Sequence, residues 1–159
     1  MAETDIVLSD QLRQTLSFFE RSSAPAIENA TGSSKGRQSF FVLSGGTPLL
    51  QSEAVELLAA KLDVDESLLL DVSSISRRTF HRRQETHQPL SATETDRVLR
   101  IARVASEAQR VFGDEEKARR WLSKSNRMLG AKPLEMLATD AGAREVEAEL
   151  SRIDWGDYA

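Results

Sequence analysis

Three short amphipathic helices, each with its own start and stop signals, occupy the last third of this chain. Gly113 favours a left-handed stop after a preceding helix, and Asp114 can cap the helix that follows. Pro133 stands where a first helical position is expected, and Thr139 can cap a last helix. The apolar face of that last helix consists of Ala143, Val146, Leu150 and Ile153. Helix boundaries at such close spacing predict a small, all-helical unit.

Cysteine is absent from all 159 residues, which excludes disulfides, cysteine nucleophiles and thiolate metal sites. A chain without cysteine fits the reducing cytoplasm. The first residues lack the basic start and apolar run of a signal peptide. No apolar stretch reaches the ~18 residues that a membrane-spanning helix needs. We therefore expect a cytoplasmic protein that does not associate with a membrane.

The formal net charge of -4 is distributed unevenly along the chain. Residues 1–71 carry 5 basic against 11 acidic side chains, and residues 104–159 carry 9 against 11. Residues 72–103, in contrast, carry 7 arginines against 3 acidic side chains. A basic block inside an acidic protein favours a local binding site for a polyanion over general coating of nucleic acid.

The basic block lies in a pattern typical of a helix-turn-helix motif. Residues 52–63 have the apolar period of a helix, and Asp65 can cap a short second helix. Ser73-Ser74 forms a turn in which glycine is common but serine can serve. Ser76 can then cap a basic helix whose Phe80 is expected to anchor it on the core.

The basic helix has the side chains that read and clamp DNA. Residues 76–84 contain four arginines and no acid, and arginine binds guanine edges or phosphate with a planar fork. The residues predicted to contact DNA are Ser76, Arg77, Arg78, Thr79, His81, Arg82 and Arg83. Two other interpretations stay open: a solvated basic face that touches nothing, and a surface that packs on a protein partner.

The N-terminal part contains a helix, a linker and a short apolar run. Ser9 can cap a first helix whose apolar face consists of Leu12, Leu16 and Phe19. Residues 22–39 are rich in Ser, Gly, Ala and Asn, so we interpret them as a flexible linker. Residues 40–43 fit a strand or a docking segment, and periodicity does not decide between them. Residues 45–48, Gly-Gly-Thr-Pro, are interpreted as a break.

A long helix is predicted to join the two halves of the chain. Ser91 and Glu94 form a capping box, and the helical pattern continues to about Phe112. The apolar positions of this helix are Val98, Ile101, Ala102, Ala105, Ala108 and Phe112. Such a helix is suited to connecting two units and to supplying a dimer interface.

Signals for catalysis, metal binding or a cofactor are weak. The two histidines, His81 and His87, have no carboxylate cluster around them. Gly45-Gly46 is a lone glycine pair and does not form a phosphate loop. Glu145 and Glu149 are interpreted as an ordinary helix surface. We therefore predict no enzyme activity, no metal site and no cofactor.

The last third resembles the toxin-binding domain of the Xre–MbcA–ParS antitoxins. The residues that carry the resemblance are Val111-Phe112-Gly113, Ala118, Trp121-Leu122, Leu129-Gly130, Pro133, Leu137, Thr139, Gly142, Val146, Leu150, Ile153 and Gly156. Two positions depart from the family pattern: Ala131 replaces a usual second glycine, and Trp155 replaces a frequent tyrosine. Residues 75–80 also resemble the start of the recognition helix of Xre-type antitoxins.

The resemblance implies an all-α antitoxin of a RES–Xre toxin–antitoxin system, divided into four parts. These are an N-terminal helix and linker over residues 1–39 and an Xre-like helix-turn-helix module over 40–90. A connecting and dimerisation helix over 91–112 follows, and then a toxin-binding domain with a C-terminal tail over 113–159. A homodimer would repress its own operon by binding operator DNA, and would form a hetero-oligomer with the toxin.

The resemblance also implies how the toxin is neutralised. RES-domain toxins consume NAD, and the C-terminal segment of such an antitoxin covers their NAD pocket. The residues expected to bind the toxin are Leu150, Arg152, Ile153, Trp155, Gly156, Tyr158 and Ala159. The alternatives are a stand-alone regulator whose C-terminal domain only dimerises, and a pure toxin neutraliser with a vestigial DNA module.

Overall fold

A computed structural model describes residues 15, 19, 41–44 and 47–156. Thr15 and Phe19 both lie in a helix and are buried. Most of the predicted first helix, the linker predicted over 22–39 and the tail residues 157–159 lie outside the described residues.

A short antiparallel hairpin precedes the helices. Strand β1 spans Phe41–Ser44 and strand β2 spans Thr47–Leu50, with Ser44 opposite Thr47 and Phe41 opposite Leu50. The strand interpretation of the apolar run is therefore confirmed. The break predicted over residues 45–48 is wrong for Thr47 and Pro48, which lie in β2, and residues 45–46 lie outside the described residues. These residues extend because tertiary contacts hold the end of β2. The amide of Leu50 donates to Thr95 Oγ1 at 3.1 Å, and its carbonyl accepts from Leu90 N at 2.8 Å.

Three helices after the hairpin form the predicted helix-turn-helix. Helix α1 spans Glu53–Leu62, α2 spans Glu66–Val72 and α3 spans Arg77–Glu85. In the turn between α2 and α3, Ser74 adopts the left-handed conformation with a φ of 54°. Phe80 is fully buried, so α3 is anchored on the core as predicted.

The long helix α4 spans Ala92–Phe112 and lies at the centre of the fold. The predicted capping box is present: Ser91 Oγ accepts from Glu94 N, and Glu94 Oε2 accepts from Ser91 N at 2.7 Å. Its buried residues are Thr95, Val98, Ile101, Ala102, Val104, Ala105 and Ala108. Helix α4 contacts β2 and α1 as well as helices of the C-terminal unit, and its buried apolar residues belong to one hydrophobic core.

The C-terminal unit contains the three predicted short helices: α5 spans Glu115–Ser123, α6 spans Pro133–Met136 and α7 spans Asp140–Asp154. The predicted caps at Asp114 and Thr139 accept hydrogen bonds from the amides of Lys117 and Gly142. A bilayer-spanning helix needs about 20 consecutive apolar residues, and none of the helices in the described part of the chain has such a stretch.

Three ion pairs join α4 to α7 along their length. Arg100 lies 2.6 Å from Asp140, Arg103 lies 2.9 Å from Glu147, and Arg110 lies 2.8 Å from Asp154. Because the partners follow the same order on both helices, α4 and α7 run in the same direction. The end of α7 is therefore fixed beside the end of α4.

Candidate functional site

Helix α3 presents most of its predicted DNA-binding side chains to solvent. Ser76, Arg77, Arg78, His81 and Arg82 are exposed, and Thr79 is half-buried. Ser76 Oγ accepts from Thr79 N at 3.1 Å, which fixes the start of the helix. Arg77 lies 3.8 Å from Asp71, but both side chains are more than half exposed, so this pair holds Arg77 only weakly.

Arg83, in contrast, points into the protein. Its side chain is only 19% exposed, and Nη2 lies 3.2 Å from Glu94 Oε2. Nη1 donates to the carbonyl of Pro89 at 2.6 Å. Arg83 therefore joins α3 to the capping box of α4. Because both Nη atoms have partners within the protein and the side chain is mostly buried, Arg83 is not among the α3 side chains available to DNA.

The predicted toxin-binding residues separate into buried and accessible ones. Leu150 is fully buried in the core and cannot contact a partner while the domain is folded, so we remove it from the set. Ile153 is half-buried, and Arg152 is exposed beside Glu149, at 3.0 Å. Trp155 is 87% exposed directly after the end of α7, and Gly156 follows with a φ of 72°. Tyr158 and Ala159 lie outside the described residues.

An open groove on the C-terminal unit was not predicted from the sequence. It has a volume of about 720 Å³ and lies between the end of α4, α5, residues 124–128 and the last turns of α7. Phe112 and Trp121 line it with their ring centroids 5.7 Å apart. Glu149 also lines it and is only 8% exposed, so the interpretation of Glu149 as ordinary helix surface is wrong.

The sequence contains a cluster of basic residues that indicates this groove, but a charge count over the whole C-terminal third does not reveal it. Residues 117–127 contain five basic side chains and no acid, with Trp121 among them. Counting charges over the whole of residues 104–159 gives an acidic segment and conceals the cluster.

The loop between α5 and α6 forms one rim of the groove and is held by hydrogen bonds. Asn126 Oδ1 accepts from the amides of Met128 and Leu129, at 2.7 Å and 3.2 Å. The backbone of Asn126 pairs with that of Ala131, and Gly130 between them has a φ of 70°. Ala131 has no positive φ, which explains why a second glycine is dispensable there. This turn presents Met128, which is 59% exposed.

Charged side chains of the described residues also determine how the end of α7 is held. Within residues 41–44 and 47–156, no group of three His, Asp or Glu side chains is placed to hold a metal ion. Arg110 donates hydrogen bonds to the carboxylates of Glu107 and Asp154, which raises the pKa of its guanidinium above the ordinary value. Arg110 therefore stays charged, and it holds the end of α7 to α4.

Two family matches divide the chain within α4. Residues 46–103 match the antitoxin Xre-like helix-turn-helix domain, and residues 107–156 match the antitoxin Xre/MbcA/ParS C-terminal toxin-binding domain. The chain belongs to the Xre/MbcA/ParS antitoxin family. The helix-turn-helix lies in the first of these domains and the C-terminal groove lies in the second, so the resemblance predicted from the sequence is confirmed.

Relatives of this antitoxin family align with part of the chain. The Antitoxin Xre of Pseudomonas putida is 43% identical over 83 residues, which is 52% of this chain and 52% of the relative. The Antitoxin Xre of Photorhabdus laumondii is 34% identical over 90 residues, 55% of this chain and 61% of the relative. The Prs ADP-ribosylating antitoxin of a Sphingobium species is 26% identical over 110 residues, 63% of this chain and 69% of the relative. The aligned segment thus spans little more than half of the first two relatives.

Proposed function

We propose that this chain is an antitoxin that blocks the NAD pocket of a RES-domain toxin and represses its own operon as a homodimer. The observation that carries the proposal is Trp155, a large aromatic side chain that is 87% exposed at the end of an ordered helix. An isolated exposed tryptophan is unusual on a soluble domain, and tryptophan is a favoured anchor in protein interfaces.

The geometry at the end of α7 supports inhibition by steric occlusion. Asp154 is the last residue of α7 and pairs with Arg110 of α4, so the helix sets the position of the residue before Trp155. Residues 155–159 continue from that fixed point, and they would enter the toxin's substrate pocket and exclude NAD. A tail that starts from a rigid helix loses less conformational entropy on binding than one that starts from a flexible linker. The name of the Sphingobium relative includes ADP-ribosylation, a reaction that consumes NAD, and so supports a partner of this kind.

The exposed face of α3 supports operator binding. Arg78 and Arg82 are one helical turn apart and both exposed, so they can enter a major groove together. Ser76, Arg77, Thr79 and His81 surround them, and Ser76 lies at the start of α3, where backbone amides suit phosphate. A homodimer would place two such helices on two half-sites of one operator.

The neutralisation proposal is tested by co-expression with the RES toxin encoded beside this chain, with growth and cellular NAD as readouts. We expect the full chain to restore both, and deletion of residues 155–159 to abolish the rescue. Trp155→Ala should reduce it strongly. Ser151→Ala, at an exposed position of the same helix, is the matched control and should rescue fully.

The outcomes separate the alternatives. Rescue that survives the deletion would place the inhibitory contact on the helices and contradict occlusion by the tail. No rescue and no complex with the toxin would favour the stand-alone regulator, whose C-terminal domain only dimerises.

The DNA-binding proposal is tested with two neighbouring arginines. Arg82→Ala removes an exposed side chain and should weaken operator binding without lowering the melting temperature. Arg83→Met removes the buried ion pair with Glu94, and should lower the melting temperature while operator affinity per folded molecule is retained. Unchanged operator binding by an Arg78→Ala, Arg82→Ala double variant would favour the pure neutraliser with a vestigial DNA module.

A further inference from the structure

The groove on the C-terminal unit combines an apolar floor with a cationic rim. Phe112, Trp121 and Ile153 supply apolar surface, and Met128 lies exposed at one edge. The cations that line the groove are Lys117, Arg120, Lys124, Arg127 and Arg152, against the single carboxylate of Glu149. Such a surface suits a ligand that is both apolar and acidic.

Several of these cations have no anionic partner in the described part of the chain. Arg120 pairs with Glu116 and Arg152 pairs with Glu149. Lys117, Lys124 and Arg127 make no ion pair with any residue among those described. Their charge is therefore available to a partner. Since the Arg120–Glu116 pair is exposed on both sides, a partner's carboxylates can compete for Arg120, whereas Arg152 pairs with the nearly buried Glu149.

The rim is ordered before any partner arrives. Asn126 Oδ1 fixes the amides of Met128 and Leu129, so the turn that carries Arg127 and Met128 has a defined conformation. Tryptophan, methionine and arginine are enriched in the cores of protein interfaces. A preformed loop that presents such residues loses little entropy on binding.

The groove is continuous with the tail that we propose blocks the toxin. Ile153 lines the groove, and Trp155 follows two residues later. A protein that covers Trp155 must therefore lie next to the groove. Duplex DNA fits less well, because the aromatic floor offers nothing to a phosphate backbone and the proposed DNA surface is on α3.

We propose that the groove is a second docking site on the toxin-binding face, occupied by an acidic amphipathic segment of the toxin surface. This inference rests on the proposed function, because its partner is the same toxin. The groove and the tail then have different roles. The groove holds the toxin and sets the lifetime of the complex, whereas the tail excludes NAD.

The test reverses two exposed rim charges in the full chain. A Lys124→Glu, Arg127→Glu double variant should weaken affinity for the purified toxin at least tenfold, as measured by calorimetry. The loss should be larger at low ionic strength than at high ionic strength, since salt screens exposed charges. At saturating concentration the same variant should still inhibit NAD consumption completely, because its tail is intact.

The matched control makes the same change in net charge on the same domain away from the groove. Lys132→Glu, Arg144→Glu alters two exposed cations that do not line it, and also removes the exposed ion pair between Lys132 and Glu135, whose loss should cost little stability. This variant should bind the toxin like the unaltered chain. Deletion of residues 155–159 should abolish inhibition, and it should weaken toxin binding less than the rim variant does. Circular dichroism verifies that every variant is folded.

Each remaining outcome overturns a defined claim. Equal toxin affinity of the rim variant and the unaltered chain would overturn the docking groove and leave the antitoxin proposal intact. Loss of operator binding by the rim variant, with toxin affinity retained, would assign the groove to DNA. That result would also overturn the proposal that the groove docks the toxin. No binding of the toxin by the unaltered chain would overturn both proposals, and this is visible before any variant is made.

Discussion

At the scale of single residues, Ser74 adopts a backbone conformation that suits glycine. It has a φ of 54° in the turn between α2 and α3. In this left-handed conformation a residue with a Cβ atom is strained by about 1–2 kcal/mol. Glycine removes that strain but increases the entropy of the unfolded chain by roughly 0.5–1 kcal/mol. We therefore predict that Ser74→Gly raises the free energy of unfolding by about 0.5 kcal/mol, measured by urea denaturation.

The control for Ser74→Gly is Ser67→Gly, on α2, where glycine should destabilise the helix. A decrease in stability for Ser74→Gly would contradict the left-handed conformation of this turn.

Glu56 gives a prediction with a defined pH dependence. Partial burial raises the pKa of its carboxyl above the ordinary 4.5, and the charges of Glu66 and Glu53 raise it further. A carboxyl whose pKa is raised by folding binds its proton more tightly in the folded state. The free energy of unfolding therefore falls as the pH rises from the pKa of the unfolded state through the higher pKa of the folded state. Glu56→Gln should therefore stabilise the protein at neutral pH, and the gain should vanish below the pKa of the unfolded carboxyl.

The gain from Glu56→Gln should be small, because the side chain is exposed and water screens its charge. Glutamine also keeps the oxygen that accepts from Gln84 Nε2. Thermal denaturation between acidic and neutral pH measures the difference, and Glu145→Gln controls for net charge. A gain that is independent of pH would show that the carboxylate is not its cause.

Helix caps could be predicted from the sequence, whereas side-chain directions often could not. Each helix cap accepts a hydrogen bond from the amide three residues later, as seen for Ser76, Asp114 and Thr139. Local sequence spacing is therefore enough to predict a cap. Arg83 turns inward because Glu94, on another helix, lies beside it. Nothing in the spacing of the α3 arginines distinguishes Arg83 from Arg82, since the distinction arises only when α3 packs against α4.

At the scale of elements, Gly142 allows α7 to approach α6. A Cβ atom at Gly142 would lie 2.1 Å from the carbonyl oxygen of Met136, and a backbone atom cannot rotate away. We predict that Gly142→Ala forces α6 and α7 apart and lowers the free energy of unfolding by about 2 kcal/mol or more, within the range typical of overpacking. Urea denaturation measures the loss.

Toxin affinity should fall with Gly142→Ala as well, because the start of α7 positions the tail and the groove. Ser151→Ala, exposed on the same helix, should leave both quantities unchanged. Wild-type stability of Gly142→Ala would show that α6 and α7 have room to separate without cost.

The short helices could be predicted because each has its own capping or stop residues in the sequence. The hairpin and the groove could not, because they depend on contacts that exist only in the folded chain. Thr47-Pro48 resembles a turn in isolation, and becomes part of a strand because Leu50 is held by Thr95 and Leu90. The groove forms between residues of α4, α5 and α7 that are far apart in sequence. Periodicity places residues on faces of helices but does not give the distances between those faces.

At the scale of the whole molecule, α4 belongs to both functional halves. The matched domains meet within it, at residues 103 and 107, and its buried residues contact both the helix-turn-helix and the C-terminal helices. The ion pairs from Arg100, Arg103 and Arg110 then fix α7 along it. Because linked binding equilibria are reciprocal, a toxin that altered operator affinity would have its own affinity altered by the operator, and α4 is the helix through which the two halves contact each other.

This joining predicts a single unfolding transition. Both tryptophans, Trp121 and Trp155, lie in the C-terminal half, so fluorescence reports that half, while circular dichroism at helical wavelengths reports all helices. Because one hydrophobic core includes residues of both halves, the two signals should change at the same urea concentration. Arg103→Ala should lower both midpoints together and only slightly, since exposed ion pairs stabilise weakly, and Arg144→Ala should change neither.

Separate midpoints in the unaltered protein would contradict this prediction, because they would show that α4 unfolds with one half while the other stays intact. The halves would then bind toxin and operator independently, and saturating toxin should leave operator affinity unchanged. Coincident midpoints together with a toxin-dependent operator affinity would instead identify α4 as the element that couples the two sites. Unfolding by two probes therefore tests the physical basis of coupling before the operator sequence is known.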